Sequence, residues 1–292
     1  MKQKFETEHI PVKQADGDAD PLIIRTSLNE VSKSNTPVVT IGNDTDLQVA
    51  LTTLAKSNTK LFIQTDVEPS VVWKITDIQK QFKKNIRELL LFAYCFSGCD
   101  TTSSLFKKGK VKVMTTLQNL HAKELDQLLL FNKVNSDPAK LVEAGIMFGS
   151  RLYDEKNVNN DINKLRYNLY TKVIRNSKLS SNFQLESLPP TSEALKQHIL
   201  RVYHSVQQFM GNYLEPTNWG WVKKNGTLYP FPTDKPIAPN KLLEMISCGC
   251  KSGCNKNCSC KKVSLHCSNM CKECHGRTCS NVPKEMDEES FD

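Results

Sequence analysis

Nine cysteines stand in the last 45 residues: Cys248, Cys250, Cys254, Cys258, Cys260, Cys267, Cys271, Cys274 and Cys279, spaced C-x-C-x3-C-x3-C-x-C-x6-C-x3-C-x2-C-x4-C. An odd number cannot close into intramolecular disulfides alone, and thiolates at such short intervals are soft ligands suited to zinc. About three tetrahedral zinc ions fit this count, because twelve ligand positions are met by nine thiolates when three of them bridge. His266 and His275 offer a second arrangement with fewer ions, although the cysteines alone suffice for the first. The segment has few apolar residues, chiefly Ile246, Val263 and Leu265, so metal has to organise it.

A second set of residues carries oxygen chemistry. Asp18 and Asp20 open an amphipathic segment, Asp44 and Asp46 follow an apolar β-branched run, and Asp100 follows the apolar run that ends Phe96-Ser97-Gly98-Cys99. Carboxylates that arrive at one crevice from separate segments suit hard divalent cations such as Mg or Mn. Two such ions about 4 Å apart clamp a phosphodiester and activate water. The plainer reading of these acids is helix capping, and both stay open. A calcium loop is excluded. Asp16, Asp18 and Asp20 fill its first, third and fifth positions, but Pro21 stands where the turn glycine belongs and Ser27 where the bidentate glutamate belongs.

Two basic groups complete the set. Lys107, Lys108, Gly109, Lys110 and Lys112 read as a glycine turn opening a helix, where free backbone N–H groups and ammonium groups attract phosphate without base selectivity; a solvated basic loop is the alternative. Lys251, Lys256, Lys261, Lys262, Lys272 and Arg277 against Glu273 give the cysteine segment a net +5, a plausible phosphate-binding face; a purely structural zinc cluster is the alternative. The acidic tail from Lys284 to Asp292 masks that face or keeps the end solvated. Cys95 and Cys99 read as small buried hydrophobes without further ligands nearby. Trp219 and Trp221 read as packing residues rather than base-stacking ones.

The elements that must position these residues follow from periodicity. Leu22, Ile23, Leu28 and Val31 predict a helix, Pro37–Ile41 a strand, Leu47–Leu54 a helix, Leu61–Gln64 a short strand and Ile75–Phe82 a helix. Alternation of this kind predicts an α/β fold with a parallel sheet. Residues 104–210 read as mostly helical, ending in Ser192–Met210 behind Pro189-Pro190 and a Thr191/Ser192 cap. A hairpin is expected around Asn225-Gly226, flanked by Trp221, Val222, Leu228 and Tyr229, and a Pro-rich linker from Pro230 to Pro239. The predicted division is an α/β domain over 1–110, a helical extension over 111–210, hairpin and linker over 211–245, a zinc module over 246–282 and an acidic tail over 283–292. The chain has 292 residues, 39 basic and 31 acidic side chains and a net charge of +8, a balance that fits a polyanion partner. It has no apolar run of the roughly 18 residues a membrane span needs. Met1–His9 has no apolar core of a secretion signal, so an intracellular, reducing compartment is expected.

Asp-Gly-Asp-Ala-Asp (16–20), Gly-Asn-Asp-Thr-Asp (42–46) and Ser-Gly-Cys-Asp-Thr-Thr-Ser (97–103) stand in the order and approximate spacing of the acidic motifs of PIN-like, flap-endonuclease-type nucleases, which the chain resembles. Phe92–Lys110 with Leu-Pro-Pro-Thr (188–191) and Lys-Gln-His-Ile-Leu (196–200) more closely resembles a multi-copy family of uncharacterised, mobile-element-derived animal proteins that join such a domain to a cysteine module. The cysteine spacing resembles the CXC modules of tesmin-type DNA-binding proteins, which hold three zinc ions on nine cysteines. The resemblance implies that Asp18 with Asp20, Asp44 with Asp46, and Asp100 are metal carboxylates, and that Leu105–Lys112 corresponds to a turn holding the DNA backbone. It also implies a further acid at the end of a first strand. Only about fifteen residues precede the first motif here, so the expected sheet is incomplete and the chain a truncated, fragmentary or domesticated copy. The expected function is nucleic-acid binding, of DNA in the nucleus, by the zinc module, with the nuclease-derived domain inactive. An active Mg- or Mn-dependent endonuclease or 5′ nuclease and a structural or regulatory interaction protein are the alternatives.

Overall fold

The computed structural model describes residues 2–15, 17–33, 36–154, 161–175, 184–231, 233, 247–251, 253–262, 265–267 and 271–282. The expectations for Asp16, Ile246, Val263, most of the Pro-rich linker and the acidic tail lie outside these residues. The chain divides into two units, Met1–Pro232 and Thr233–Asp292. The described residues are mixed α and β, about half of them helical. No helix among them is long and apolar enough to cross a membrane.

In the first unit the short helix α1 (Lys2–Thr7) precedes α2 (Asp20–Lys33), which buries Ile24 and Ser27 and leaves Arg25, Glu30 and Lys33 exposed. Strand β1 (Val38–Ile41) and helix α3 (Thr45–Leu54) follow, then β2 (Leu61–Gln64), β3 (Val72–Lys74) and α4 (Ile75–Gln79). β1 pairs with β2 in parallel, Val38 opposite Leu61, as alternation with helices requires. β3 departs from the wholly parallel expectation, because it pairs antiparallel to β2 with Gln64 opposite Val72. The connection from β2 to β3 is too short for a crossover helix, and only a hairpin-like return is open to it. The sheet order is β1-β2-β3, which leaves β1 at an edge with Val39 and Ile41 exposed, while Leu61 and Ile63 face the core. The Ser27 and Thr40 hydroxyls share a buried 2.8 Å hydrogen bond that fixes α2 on β1.

After α5 (Lys84–Arg87), the apolar run over residues 89–96 forms helix α6 (Leu90–Ser97), and all eight of its residues are buried. Helices α7 (Lys110–Gln118), α8 (Ala122–Leu128), α9 (Pro138–Tyr153), α10 (Ile162–Arg175) and α11 (Ser192–Phe209) enclose it. Thr191 caps α11, its Oγ1 accepting from the Ala194 N–H, as expected. Phe92 is the hub, with ring centroids 4.6 Å from Phe131, 5.1 Å from Phe148 and 5.5 Å from Phe96. One hydrophobic core runs from Ile24 to Phe209. α9 crosses α11 at Gly145 and Gly149, where an added Cβ would stand 2.5 Å from the Ile199 side chain and 2.8 Å from that of Leu195. Strands β4 (Trp221–Lys224) and β5 (Thr227–Pro230) form the expected hairpin, with Asn225 and Gly226 both at positive φ as a type I′ turn demands.

Candidate metal centres

The two Asp pairs are built alike. Asp18 accepts the Asp20 N–H at 3.1 Å at the start of α2, and Asp44 accepts the Asp46 N–H at 3.1 Å as the N-cap of α3. The capping reading therefore holds for Asp44, whereas Asp18 makes the same local turn one residue ahead of the cap position. It does not exhaust the arrangement, because the helix starts bring carboxylate oxygens of Asp20, Asp44 and Asp46 within 4.8 Å of one another. Asp100 comes from the turn after α6, where Gly98 at φ 103° brings its own backbone against that of Ser104 so closely that a side chain would not fit. Asp18, Asp46, Cys99 and Asp100 line one crevice with Ser205 and Gln208 of α11.

Five acids thus share one neighbourhood, and their electrostatics record it. Asp20 is pushed up to about 6, by burial first and then by the charges of Asp18, Asp44 and Asp100. Asp46, 7% exposed, is also pushed up to about 6 by burial and by Asp44, against the lowering effect of the Tyr94 hydroxyl, which donates to its Oδ1. Like charges held together at the first turns of two helices are relieved by a cation. The oxygen-only carboxylate set fits Mg or Mn. Tyr94, Ser205 and Gln208 reach the crevice from distant segments, which periodicity could not reveal. Cys95 is fully buried, as expected, whereas Cys99 is half-buried at the crevice with its Sγ 3.4 Å from the Thr101 hydroxyl and 3.2 Å from that of Thr102. Hydrogen bonding from Cys95 and these hydroxyls lowers the Cys99 thiol to about 5. It is a polar member of the crevice rather than an inert core residue.

In the second unit the sulfurs form a cluster. Cys248, Cys254 and Cys267 form a triangle with Sγ separations of 3.6, 3.8 and 3.5 Å. Cys260 lies 3.6 Å from Cys271, and Cys254 lies 3.8 Å from Cys274. These spacings are far longer than a disulfide and match the edge of a ZnS4 tetrahedron, about 3.8 Å for Zn–S bonds of about 2.3 Å. Three groups of four sulfurs lie within 4.8 Å: 248, 254, 258 and 267; 248, 260, 267 and 271; 254, 267, 274 and 279. Only the three triangle sulfurs recur among the groups. Cys250 packs against the cluster, with Cys248 and Cys258 for neighbours. The cluster can hold zinc. Helix α12 (Ser259–Lys262) supplies Cys260, and the Lys272 N–H donates to the Cys248 carbonyl at 3.0 Å. Asn281 Nδ2 donates to the Leu265 carbonyl at 2.8 Å and reaches Cys267 Sγ at 3.5 Å, an outer contact of the kind that orients metal ligands. His266 and His275 are exposed and join none of these groups.

All six cations predicted on this unit, Lys251, Lys256, Lys261, Lys262, Lys272 and Arg277, are exposed. In the first unit Gly109 is the N-cap of α7 and Lys110 its first residue, as the glycine-turn reading expects. The ammonium groups of Lys107, Lys108 and Lys110 lie over the rings of Phe106, Tyr153 and Tyr94 at 5.1, 4.6 and 4.8 Å, so three of these lysines are held on aromatic faces. Trp219 packs on Tyr203 with centroids 4.5 Å apart, as expected of a packing residue. Comparison with protein-family models, with curated proteins and with solved structures finds no match to this chain.

Proposed function

We propose that this is a nuclear, nucleic-acid-binding protein with two metal centres. The second unit is a CXC-type zinc module that holds about three zinc ions and sets its lysines against the DNA backbone. The first unit is a PIN-like domain whose carboxylate crevice takes Mg or Mn beside a phosphodiester. The observation that carries this reading is the sulfur triangle of Cys248, Cys254 and Cys267, shared among three four-sulfur groups and framed by exposed cations. In the assignment this arrangement favours, Cys250 and Cys258, Cys260 and Cys271, and Cys274 and Cys279 are terminal pairs, and the triangle sulfurs bridge. Elemental analysis of the purified chain should give about three zinc per molecule; one or none excludes the cluster. Lys261→Ala with Lys262→Ala should weaken DNA binding and reduce its salt dependence by up to about two units of slope, since each phosphate contact releases roughly one counterion. If the turn before α7 holds the backbone instead, that loss follows replacement of Lys107, Lys108, Lys110 and Lys112.

A second reading, hydrolysis of the bound strand, is favoured by the convergence of Asp18, Asp20, Asp44, Asp46 and Asp100. On the first reading, in which the crevice binds the strand without cutting it, cleavage of flap or single-stranded substrates should be weak or absent with Mg²⁺ or Mn²⁺. Robust cleavage that Asp44→Ala abolishes would make the protein an active nuclease.

A further inference from the structure

We infer that the recess beside the carboxylate crevice is a pocket for one nucleobase of a single strand, an inference that rests on the crevice being a cation and phosphodiester site. The recess has a volume of about 320 Å³ and is lined by Thr101, His204, Gln208, Tyr213, Trp221 and Leu228, among others. That is within the range of about 300–1,000 Å³ typical of small-molecule sites. It adjoins the crevice, because Thr101 and Gln208 line both. Thr101 follows Asp100 directly, and its hydroxyl is fixed on Ser205 at 2.7 Å.

The lining chemistry selects the occupant. Tyr213 is 66% exposed and Trp221 half-buried, so two aromatic rings belong to the recess without being consumed by the core. The Trp221 Nε1–H is buried and meets no acceptor among the described residues. That donor is closed off from solvent, so Trp221 offers an incoming base its ring and not its N–H. Gln208 adds a side-chain amide, donor and acceptor together, on the wall between recess and crevice. Aromatic faces with a few polar edges are how proteins hold unpaired bases, whereas duplex bases are stacked and cannot enter. A strand whose phosphate meets a divalent cation held by Asp20, Asp44 and Asp46 can set a neighbouring base in this recess. Trp221 therefore leaves the purely packing role that sequence reading gave it, while Trp219 keeps it.

The test uses the full zinc-loaded chain and short single-stranded DNA oligonucleotides carrying one abasic position, moved stepwise along the strand, with Ca²⁺ as a non-hydrolysing divalent ion. Binding is read by fluorescence anisotropy. One abasic position should weaken binding about tenfold, the scale of a lost base–aromatic stack. Tyr213→Ala should weaken the intact strand by a similar factor and abolish the abasic penalty; at 66% exposure its ring is no part of the core, and the fold is kept. Trp221→Phe, which keeps a ring, should retain most of the penalty. A penalty below twofold at every position, or one that persists unchanged in Tyr213→Ala, overturns the pocket. The crevice is scored separately. Ca²⁺ should tighten binding of the parent but not of Asp44→Asn, and failure of that difference with the Tyr213-dependent penalty intact removes the cation reading and leaves the pocket standing.

Discussion

At the scale of single residues, the position of a sulfur in the cluster sets how much its loss matters. Cys267 touches Cys248 and Cys254 and belongs to all three four-sulfur groups, whereas Cys250 stands at the margin. Cys267→Ser should therefore lower the zinc content by two ions or more, and Cys250→Ser by about one, in the same elemental analysis. Equal losses would mean that the triangle does not bridge. His198 makes a different kind of prediction. Its ring is buried, 3.2 Å from the Phe96 carbonyl and edge-on to the Phe96 ring, and burial with the nearby Arg201 charge lowers it to about 4. The unfolded chain protonates this side chain near 6.5, so stability is full above that pH and lost as pH falls toward 4. Asp20 and Asp46, raised to about 6, act with the opposite sign, since they oppose folding when ionised and are relieved as pH falls. Comparison with His198→Phe isolates the histidine. Between pH 7 and pH 5 the parent should lose roughly 2 kcal/mol that the variant keeps, read from denaturant melts at each pH.

At the scale of elements, the crossing of α9 and α11 is the least forgiving contact. Gly145→Ala places a methyl group into Ile199 on a helix with no room to retreat, and about 1–3 kcal/mol of stability should be lost. Gly149→Ala meets mainly one terminal carbon of Leu195 and should cost less, so a urea series on both variants checks the order. The same scale explains what was legible in sequence. α2, β1, α3 and β2 were readable because each carries its own period and its own turn signal. β3 was not, because all three of its residues are exposed and no alternation marks it. α6 was ambiguous by nature, since an eight-residue run buried on every side has no polar face to betray a helical or strand period. The Asp pairs were legible as pairs because each starts a helix. Their company was not, since Tyr94 meets Asp46 across 48 positions and Ser205 meets Thr101 across 104. The sulfur triangle lay between these cases: cysteine count led to the expectation of three bridging thiolates, and only geometry shows which three sulfurs are shared among the four-sulfur groups.

At the scale of the whole molecule, charge needs to be counted with the metal in place. Three zinc ions on nine thiolates carry about −3, so the loaded module keeps much less than the +5 of its side chains. The polyanion binding we propose would then rest on where Lys251, Lys256, Lys261, Lys262, Lys272 and Arg277 stand on the cluster, with bulk positive charge contributing little. The edge strand has a consequence of a more practical kind. β1 ends the sheet order with unspent backbone hydrogen-bonding capacity along a strand whose Val39 and Ile41 are 47% and 61% exposed. Edges of that composition recruit other edges, and proteins commonly guard them with a charge. Light scattering across a concentration series should find the parent gaining mass well before Ile41→Lys does, with the melting temperature of the two alike. Colloidal behaviour, and with it the concentration at which the protein can be stored or crystallised, is then governed by the four residues of the strand that leads into the carboxylate crevice.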